Sequence, residues 1–103
     1  MICISTTSNS EKILKKIASE ALNNKLSACT QIYKISQSGY EWDDEIVYNS
    51  EFKLDIKTIN SHQSDILGII QRNHNYNVYE LIVTKINSIN KEYNKWFNNQ
   101  LKK

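Results

Sequence analysis

Two adjacent segments of this chain, at roughly residues 28–42 and 45–59, have the composition of unusually long β-strands. β-branched and aromatic residues recur through both, and Trp42-Asp43-Asp44-Glu45 between them is typical of a tight turn. At ~3.3 Å per residue, arms of about 15 residues would extend ~50 Å, whereas an ordinary strand extends ~17–20 Å. The rest of a 103-residue chain cannot cover so long a hairpin, and an uncovered apolar hairpin aggregates. We therefore predict that other copies of the chain cover residues 28–59.

The second arm has a strictly alternating polarity, which determines how it faces the rest of the fold. Phe52, Leu54, Ile56 and Thr58 share one face, and Glu51, Lys53, Asp55 and Lys57 share the other. A register shift of one residue would exchange the faces, so the first set is predicted to face the core and the second to face solvent. In the first arm, Gly39 is the expected position of a bulge or bend.

The segments around the hairpin supply two more strands and three helices. A strand is predicted at residues 1–7, followed by a helix that starts after the capping box at residues 8–11 (SNSE) and ends at Asn23-Asn24. After the hairpin come a helix capped by Ser61 and a strand at residues 79–86. The last helix begins at Ser88 or Asn90 and has Tyr93, Trp96, Phe97 and Leu101 on one face. The order β-α-β-β-α-β plus a C-terminal helix predicts a single α+β, ferredoxin-like domain over residues 1–103, with helices on one side of an antiparallel sheet.

Charge, hydropathy and cysteine content exclude several functional classes. The net charge is +2 and the only arginine is Arg72, so nucleic-acid binding is not expected. No apolar run approaches the ~18 residues of a membrane span, and no charged segment followed by an apolar one opens the sequence, so we expect no membrane interaction. Cys3 and Cys29 form neither a disulfide framework nor a CxxC pair, and both are predicted to be buried. A cytoplasmic, reducing location follows as an expectation.

Two functional classes that share this element order need residues that the chain lacks. An acylphosphatase-like enzyme needs an arginine on a phosphate-binding loop after the first strand, but residues 7–10 (TSNS) contain neither arginine nor glycine. An RNA-recognition module needs exposed aromatic residues on its central strands, whereas the predicted solvent face of residues 51–57 carries charges of both signs. We therefore expect neither of these functions, and no enzymatic activity.

Short segments from Thr6 to about Leu101, in order and at matching spacing, resemble the CutA divalent-cation tolerance family. They are residues 25–29 (KLSAC), similar to K-L-A-A-C; Tyr40-Glu41-Trp42, similar to Y-x-W; Glu51 to Thr58, similar to E-x-x-x-x-x-K-T; His74-Asn75-Tyr76 with Glu80-Leu81-Ile82, similar to H-P-Y…P-E-I/L; and Tyr93 with Trp96, similar to Y-x-x-W. The resemblance implies a homotrimer of ferredoxin-like subunits whose long hairpins surround a threefold axis, as in the PII signalling proteins. It also implies a role in divalent metal ion (copper) tolerance or response, by binding and not by catalysis.

The resemblance carries over only part of a metal site. In some members copper is bound by a Cys at the end of the first strand and by a His-His pair, but the matching positions here hold Thr6, Asn73 and His74. Neutral imidazole suits copper or zinc, yet a tight site needs about three or four ligands, and the alternative for His74 is a loop histidine bonded to backbone. We expect no required cofactor and only weak Cu or Zn binding through His74. His62 is expected on the surface, and Asn75, in place of the family's proline, is expected to loosen its loop.

The second candidate site is a cleft between subunits. Its predicted residues are Tyr40, Trp42, Lys57, Tyr76 and Glu80. An aromatic residue at a hairpin tip is costly to expose, so Trp42 should pack on a neighbouring subunit, while Lys57 and Glu80 would place opposite charges near strand ends. The cleft either binds a small ligand or metal, or is a polar interface without a ligand, and the sequence leaves both open. The alternative function is therefore a PII-like signalling trimer that binds a small anionic ligand in such clefts.

Overall fold

The computed structural model describes residues 1–103 and contains one antiparallel sheet of four strands with three α-helices. The elements are β1 (Ile2–Ser8), α1 (Glu11–Asn23), β2 (Cys29–Trp42), β3 (Glu45–Thr58), a 3₁₀ turn (Asn60–His62), α2 (Gln63–Asn73), β4 (Leu81–Lys85) and α3 (Lys91–Gln100). The strands lie in the order β2-β3-β1-β4, and every neighbouring pair is antiparallel. The predicted α+β, ferredoxin-like fold with a long β2-β3 hairpin and a C-terminal helix is confirmed.

The core lies between the sheet and the pair of helices α1 and α2. Leu54, Ile56 and Thr58 of β3 are fully buried, as the alternation predicted, and Ile4 of β1 pairs with Ile56 across the ladder. The core cluster consists of Ile2, Ile4, Leu14, Ile17, Ala18, Leu26, Leu54, Ile56, Ile66, Ile69 and Ile70. Helices α1 and α2 lie on this face, and the opposite face of the sheet carries Lys53, Asp55 and Lys57 of β3.

The β2-β3 hairpin closes at the predicted turn. Asp43 and Asp44 have left-handed backbone conformations, with φ of 51° and 65°, while Trp42 pairs with Glu45. Two consecutive left-handed residues are the requirement of a type I′ turn, and aspartate is among the few residues that tolerate it. The turn therefore preserves the twist of the two 14-residue strands.

The bulge of β2 does not lie at Gly39, where the sequence predicted it. The register shifts between Ile35, which pairs with Glu51, and Ser38, which pairs with Asn49. Gly39 itself pairs with Tyr48, and a Cβ atom at Gly39 would lie 2.7 Å from the Cε1 atom of that ring. The glycine is needed because the tyrosine ring lies against it, and not because the strand bends there.

Three local predictions about helix ends are wrong in detail. Ser61 does not cap the second helix, because it lies inside the 3₁₀ turn and α2 follows His62 without a side-chain cap. The N-cap of α1 is Ser10, whose Oγ accepts from the backbone N–H of Ile13, and not the first serine of the capping box, Ser8. At the other end, the left-handed residue is Lys25, with φ of 56°, while the C-cap Asn24 has a negative φ of −87°. Ser8 is thereby free to bond to a different part of the chain.

His62 is buried, and the prediction of a surface position is wrong. The residues after α3 return across the 3₁₀ turn, where the backbone N–H of Lys102 donates to the carbonyl of Lys25. The imidazole Nε2 of His62 lies 2.8 Å from the carbonyl oxygen of Lys102. This polar contact accounts for a histidine in the interior, because a buried polar group needs a hydrogen-bond partner.

The hairpin tip and the edge strand β4 each expose several large apolar side chains. Along the tip (residues 40–48) they are Tyr40, Trp42, Ile46 and Tyr48, and along β4 they are Leu81, Ile82 and Val83. Strand β4 lies at one edge of the sheet, so one side of its backbone has no partner strand. None of the helices has the length and hydrophobicity needed to span a bilayer.

Candidate functional site

A group of polar side chains forms where the loop between α2 and β4 crosses the end of β1. We call it the Glu51 cluster, and its members are Ser8, Asn9, Glu51, His74, Asn75 and Tyr76. Ser8 is the buried last residue of β1, and Glu51 lies on β3. The loop contributes the imidazole of His74, the amide of Asn75 and the phenol of Tyr76. The cluster therefore links three elements that are distant in sequence.

His74 is held in one neutral tautomer by two backbone groups. Its Nδ1 accepts from the N–H of Tyr76 at 3.0 Å, so Nε2 carries the proton and donates to the carbonyl of Thr7 at 2.9 Å. The Tyr79 ring stacks on the imidazole with a centroid distance of 4.3 Å and an interplanar angle of 11°. Burial lowers the pKa of His74, although its bond to Thr7 and the charge of Glu51 oppose the shift. The uncharged form is thus the one that fits the site.

Tyr76 connects the loop to a carboxylate on the sheet. Its hydroxyl donates to Oε2 of Glu51 at 2.8 Å and accepts from the backbone N–H of Asn9 at 2.8 Å. Burial, the hydrogen bond to Glu51 and the negative charge of that carboxylate raise the pKa of Tyr76 to about 12. Glu51 is only 8% exposed, so its predicted place on the solvent face is wrong, because the loop covers that end of β3.

Asn75 ties the same loop to the residues that follow β1. Oγ of Ser8 donates to Oδ1 of Asn75 at 2.6 Å, and Nδ2 of Asn75 donates to Oδ1 of Asn9 at 2.8 Å. Oγ of Ser8 also accepts from the N–H of Ser10. The two hydrogen bonds of Asn75 oppose the loosening that was expected from the absence of a proline.

Glu80 lies beside the cluster, at the start of β4. Its carbonyl accepts from the hydroxyl of Thr6 at 2.7 Å, and its carboxylate forms an ion pair with Lys53 at 3.8 Å. Lys53 pairs with Thr7, so this ion pair lies on the open face of the sheet, next to the contact of His74 with the end of β1. The three positions that the resemblance linked to copper, Thr6, Asn73 and His74, are all engaged in hydrogen bonds.

The other predicted cleft residues lie elsewhere in the subunit. Lys57 pairs with Cys3 and Cys29 at the opposite end of β3 and donates to the side chain of Gln31. Tyr40 and Trp42 are at the hairpin tip, in edge-on contact with a centroid distance of 6.5 Å. Within one subunit Tyr40 thus contacts Trp42, and Glu80 lies beside the cluster that contains Tyr76. A cleft that contains all five residues stays a prediction about the assembly.

The structure bears on the metal and cysteine predictions in different ways. Nowhere do three His, Cys, Asp or Glu side chains come together in an arrangement that could hold a metal ion. An ion at His74 would have to displace a hydrogen bond of the imidazole, and weak binding there stays a prediction.

Cys3 and Cys29 are half-buried free thiols, less buried than predicted, and β3 lies between their strands, so they cannot form a disulfide.

The neutral form of His74 makes the stability of the subunit depend on pH. The unfolded chain takes up a proton near the ordinary histidine pKa of 6.5, before the folded chain does, so the free energy of unfolding should fall as pH drops below 6.5. Urea unfolding at pH 7.5 and 5.5, at fixed protein concentration, checks this against His74→Ala. The variant should be less stable at pH 7.5, and the difference from wild type should narrow at pH 5.5. A difference that is independent of pH would contradict the assignment.

Comparisons with known proteins agree on one family. A family model described as "CutA1 divalent ion tolerance protein" matches residues 2–100. A divalent-cation tolerance protein CutA of Pectobacterium atrosepticum is 27% identical over 101 residues, which is 98% of this chain and 92% of the relative. CutA1 of Shewanella sp. SIB1 superposes with a TM-score of 0.88 at 30% identity, covering 97% of this chain and 94% of that one. CutA1 of Oryza sativa gives a TM-score of 0.88 at 29% identity, covering 98% and 93%.

These matches extend over nearly the whole chain and include the segments from which the Glu51 cluster is built. Glu51, Tyr76 and Glu80 all fall within residues that the family model matches, as does the complete β2-β3 hairpin. Sequence reasoning found Tyr76, Glu80 and His74 through the resemblance but did not assign Glu51, Ser8 or Asn75 to a site. The identity, the fold and the order of the motifs lead to the same conclusion, which is that the chain belongs to the CutA1 divalent ion tolerance family.

Proposed function

We propose that this protein acts in divalent-cation tolerance as a homotrimer that binds its ligand and does not catalyse a reaction. The family match over residues 2–100 supports the tolerance role. A non-catalytic role is supported by the Glu51 cluster, where the imidazole of His74 and the hydroxyl of Tyr76 already have hydrogen-bond partners. A general base or nucleophile would need a free atom directed at a substrate. We also propose a cytoplasmic location, which the two free thiols support.

The observation that carries the proposed assembly is the exposed hairpin. The tip projects beyond the helices with aromatic residues on it, and the edge strand β4 exposes three consecutive apolar residues, Leu81, Ile82 and Val83. Both features are hazards in a free subunit, because open strand edges and apolar patches promote aggregation. Covering them with further copies of the same chain removes both hazards.

Sedimentation measures the proposed assembly directly. We expect a species of about three times 12.0 kDa and no folded monomer when the protein is diluted. The subunit alone lacks cover for its tip, so dissociation and unfolding should occur together. A stable, folded monomer at micromolar concentration would rule out an obligate trimer.

Metal binding is expected to be weak, with His74 as the main ligand. Calorimetric titration with Cu(II) or Zn(II) should give dissociation constants of about micromolar or worse, since one imidazole is far from the three or four ligands of a tight site. Protonation competes with the metal, so affinity should fall as pH drops, and burial, which lowers the pKa of His74, places that fall below pH 6.5. His74→Ala should abolish most of the binding, while His62→Ala should not. Nanomolar affinity, or affinity unaffected by His74→Ala, would mean that the ligands lie elsewhere.

The tolerance role itself is tested in cells. A bacterial strain that lacks its own CutA protein and is sensitive to copper should regain growth when this chain is expressed. Trp42→Ala, which should weaken the assembly, is expected to reduce the rescue. A thermal-shift screen then separates metal ions from nucleotides and other anions, because a ligand of the native state raises its stability. Stabilisation by anions alone would favour the PII-like alternative.

A further inference from the structure

Three side chains form a row across the open face of the sheet, at the base of the β2-β3 hairpin. Lys57 of β3 pairs directly with Cys3 of β1 on one side and with Cys29 of β2 on the other. Directly opposite residues of antiparallel strands point to the same face, with Cβ atoms about 4.5–5.5 Å apart. The lysine therefore lies between two free thiols.

The ammonium of Lys57 has no carboxylate partner in the subunit. Its Nζ atom donates to Oε1 of Gln31 at 3.0 Å, and it takes part in neither of the two ion pairs of the structure. Asp55, two positions before it on the same face of β3, accepts instead from the hydroxyls of Ser5 at 2.6 Å and Tyr33 at 3.0 Å. A reaction that removes the charge of Lys57 would therefore break no ion pair.

The side chain of Lys57 extends towards Cys29 and away from Cys3. Gln31, which holds the Nζ atom, lies two positions after Cys29 on β2. Diagonal neighbours in a sheet are about 7–8 Å apart, so a side chain that spans the diagonal also spans the shorter distance to the residue directly opposite. The thiol of Cys3 lies 3.7 Å from the hydroxyl of Ser5 on its own strand. Cys29 is thus the thiol on the side to which the amine points.

An oxidised Cys29 would have one nucleophile of its own chain within reach. A sulfenic acid, the first product of thiol oxidation, condenses with a second thiol or with a nitrogen atom. The only other thiol of the chain is that of Cys3, and β3 lies between the two strands that carry them. The nitrogen of Lys57 is on the intervening strand, directly opposite Cys29.

We propose that Cys29 and Lys57 form a sulfenamide crosslink when hydrogen peroxide oxidises the thiol. Peroxide transfers one oxygen atom to the sulfur, which is oxidised to a sulfenic acid, and the peroxide is reduced to water. The lysine nitrogen then attacks the sulfur, so that an S–N bond forms and the S–O bond breaks. Of the three ammonium protons, one stays on nitrogen, one leaves with the oxygen as a second water molecule and one is released to solvent.

The crosslink would be a reversible switch at the base of the hairpin. Strands β2 and β3 are already paired at this position, so the bond needs no change of register. It removes one positive charge from each subunit and ends the hydrogen bond of Lys57 to Gln31. Two molecules of a thiol reductant restore the thiol and the amine, because the S–N bond is reduced while the reductant becomes a disulfide.

Mass spectrometry of the wild-type protein tests the bond without any substitution. After treatment with hydrogen peroxide and alkylation of the remaining thiols, we expect chains with one alkyl group and a mass about 2 Da below that of an unlinked chain with the same label. Trypsin should release residues 26–34 joined to residues 54–72, because it no longer cleaves after Lys57. Dithiothreitol should restore both the cleavage and the second alkylation.

Three results with the wild-type protein would overturn the proposal. The first is a link from Lys57 to residues 1–12, which contain Cys3. The second is a Cys29 that accumulates as sulfinic acid without any linked peptide. The third is a Cys29 that stays fully alkylatable after the treatment.

Variants identify the two partners of the bond. Cys3→Ser is the matched control for the thiol and should keep the linked peptide, whereas Cys29→Ser should lose it. Lys57→Arg should lower the yield of linked peptide about tenfold or more and leave Cys29 to oxidise to sulfinic acid. Lys53→Arg changes the other lysine on the open face of β3 and should have no effect. A product lighter by about 2 Da in Lys57→Arg, or chains of doubled mass in Cys3→Ser, would contradict the proposal by showing another nitrogen or an intermolecular disulfide.

Discussion

A Trp42→Ala variant is expected to lose about 3–5 kcal/mol of assembly stability for each of three copies, the usual loss for a buried aromatic side chain. Within one subunit Trp42 is 57% exposed, and the only ring close to it is that of Tyr40. The same substitution should therefore have little effect on the subunit's own core. Sedimentation on dilution and the thermal midpoint should both report weaker association.

Two controls make this result specific to the hairpin tip. Trp42→Phe keeps an aromatic ring and should lose less than the alanine variant. Val78→Ala removes an exposed apolar side chain from the loop before β4 and should stay within about 0.5 kcal/mol of wild type. Unchanged mass and thermal midpoint in Trp42→Ala would show that the residue stays in solvent.

A Tyr76→Phe variant is expected to lose about 1.5 kcal/mol of unfolding free energy per subunit. The hydroxyl serves both the carboxylate of Glu51 and the backbone N–H of Asn9, so its removal leaves two groups without a partner. Hydrogen bonds to charged groups contribute about 1.5–3 kcal/mol, and partial exposure of this one favours the lower end. Chemical denaturation at fixed protein concentration measures the loss.

Tyr79→Phe is the matched control, because it keeps the ring that stacks on His74 and removes no hydrogen bond recorded in the structure. The pH dependence of the two variants should also differ. The raised pKa of Tyr76 contributes stability that is complete below pH 10 and is lost as pH rises towards about 12. Wild type and Tyr79→Phe should show this alkaline loss in full. Tyr76→Phe should show a smaller loss, because the pKa values of Tyr33 and Tyr93, which are also raised, are unchanged in it. Equal behaviour of all three proteins would contradict the bond to Glu51.

The fold was predictable from the sequence because its local signals agree with one another. The alternation in β3 sets the register, and Asp43-Asp44 sets the turn, without any knowledge of distant contacts. Features that depend on a second segment were missed. The need for glycine at position 39 comes from the Tyr48 ring that lies against it, and the burial of His62 depends on the return of the residues after α3. Periodicity contains no information on such contacts.

The candidate site was less predictable than the fold for a similar reason. The alternation of polar and apolar residues in β3 assigns Glu51 to the open face of the sheet. It contains no information about the loop that crosses that end of the strand and buries the residue. The family motif supplied Tyr76 and Glu80, whereas the roles of Ser8 and Asn75 arise only from their mutual hydrogen bond. No pattern within either segment indicates that pair, since 67 positions separate the two residues.

The position of β1 between β3 and β4 determines the order in which the chain can fold. The first strand to be synthesised has both of its partners later in the sequence, with Ile2 pairing to Thr58 on one side and to Lys85 on the other. During translation β1 has its first partner only after the β2-β3 hairpin has left the ribosome, and both partners only when most of the chain has been made. The β2-β3 hairpin, joined by two residues, is able to close earlier. We expect the exposed tip to exist before the subunit core does. Newly made chains would then expose the apolar side chains of the hairpin tip while other chains translated from the same messenger RNA are close by.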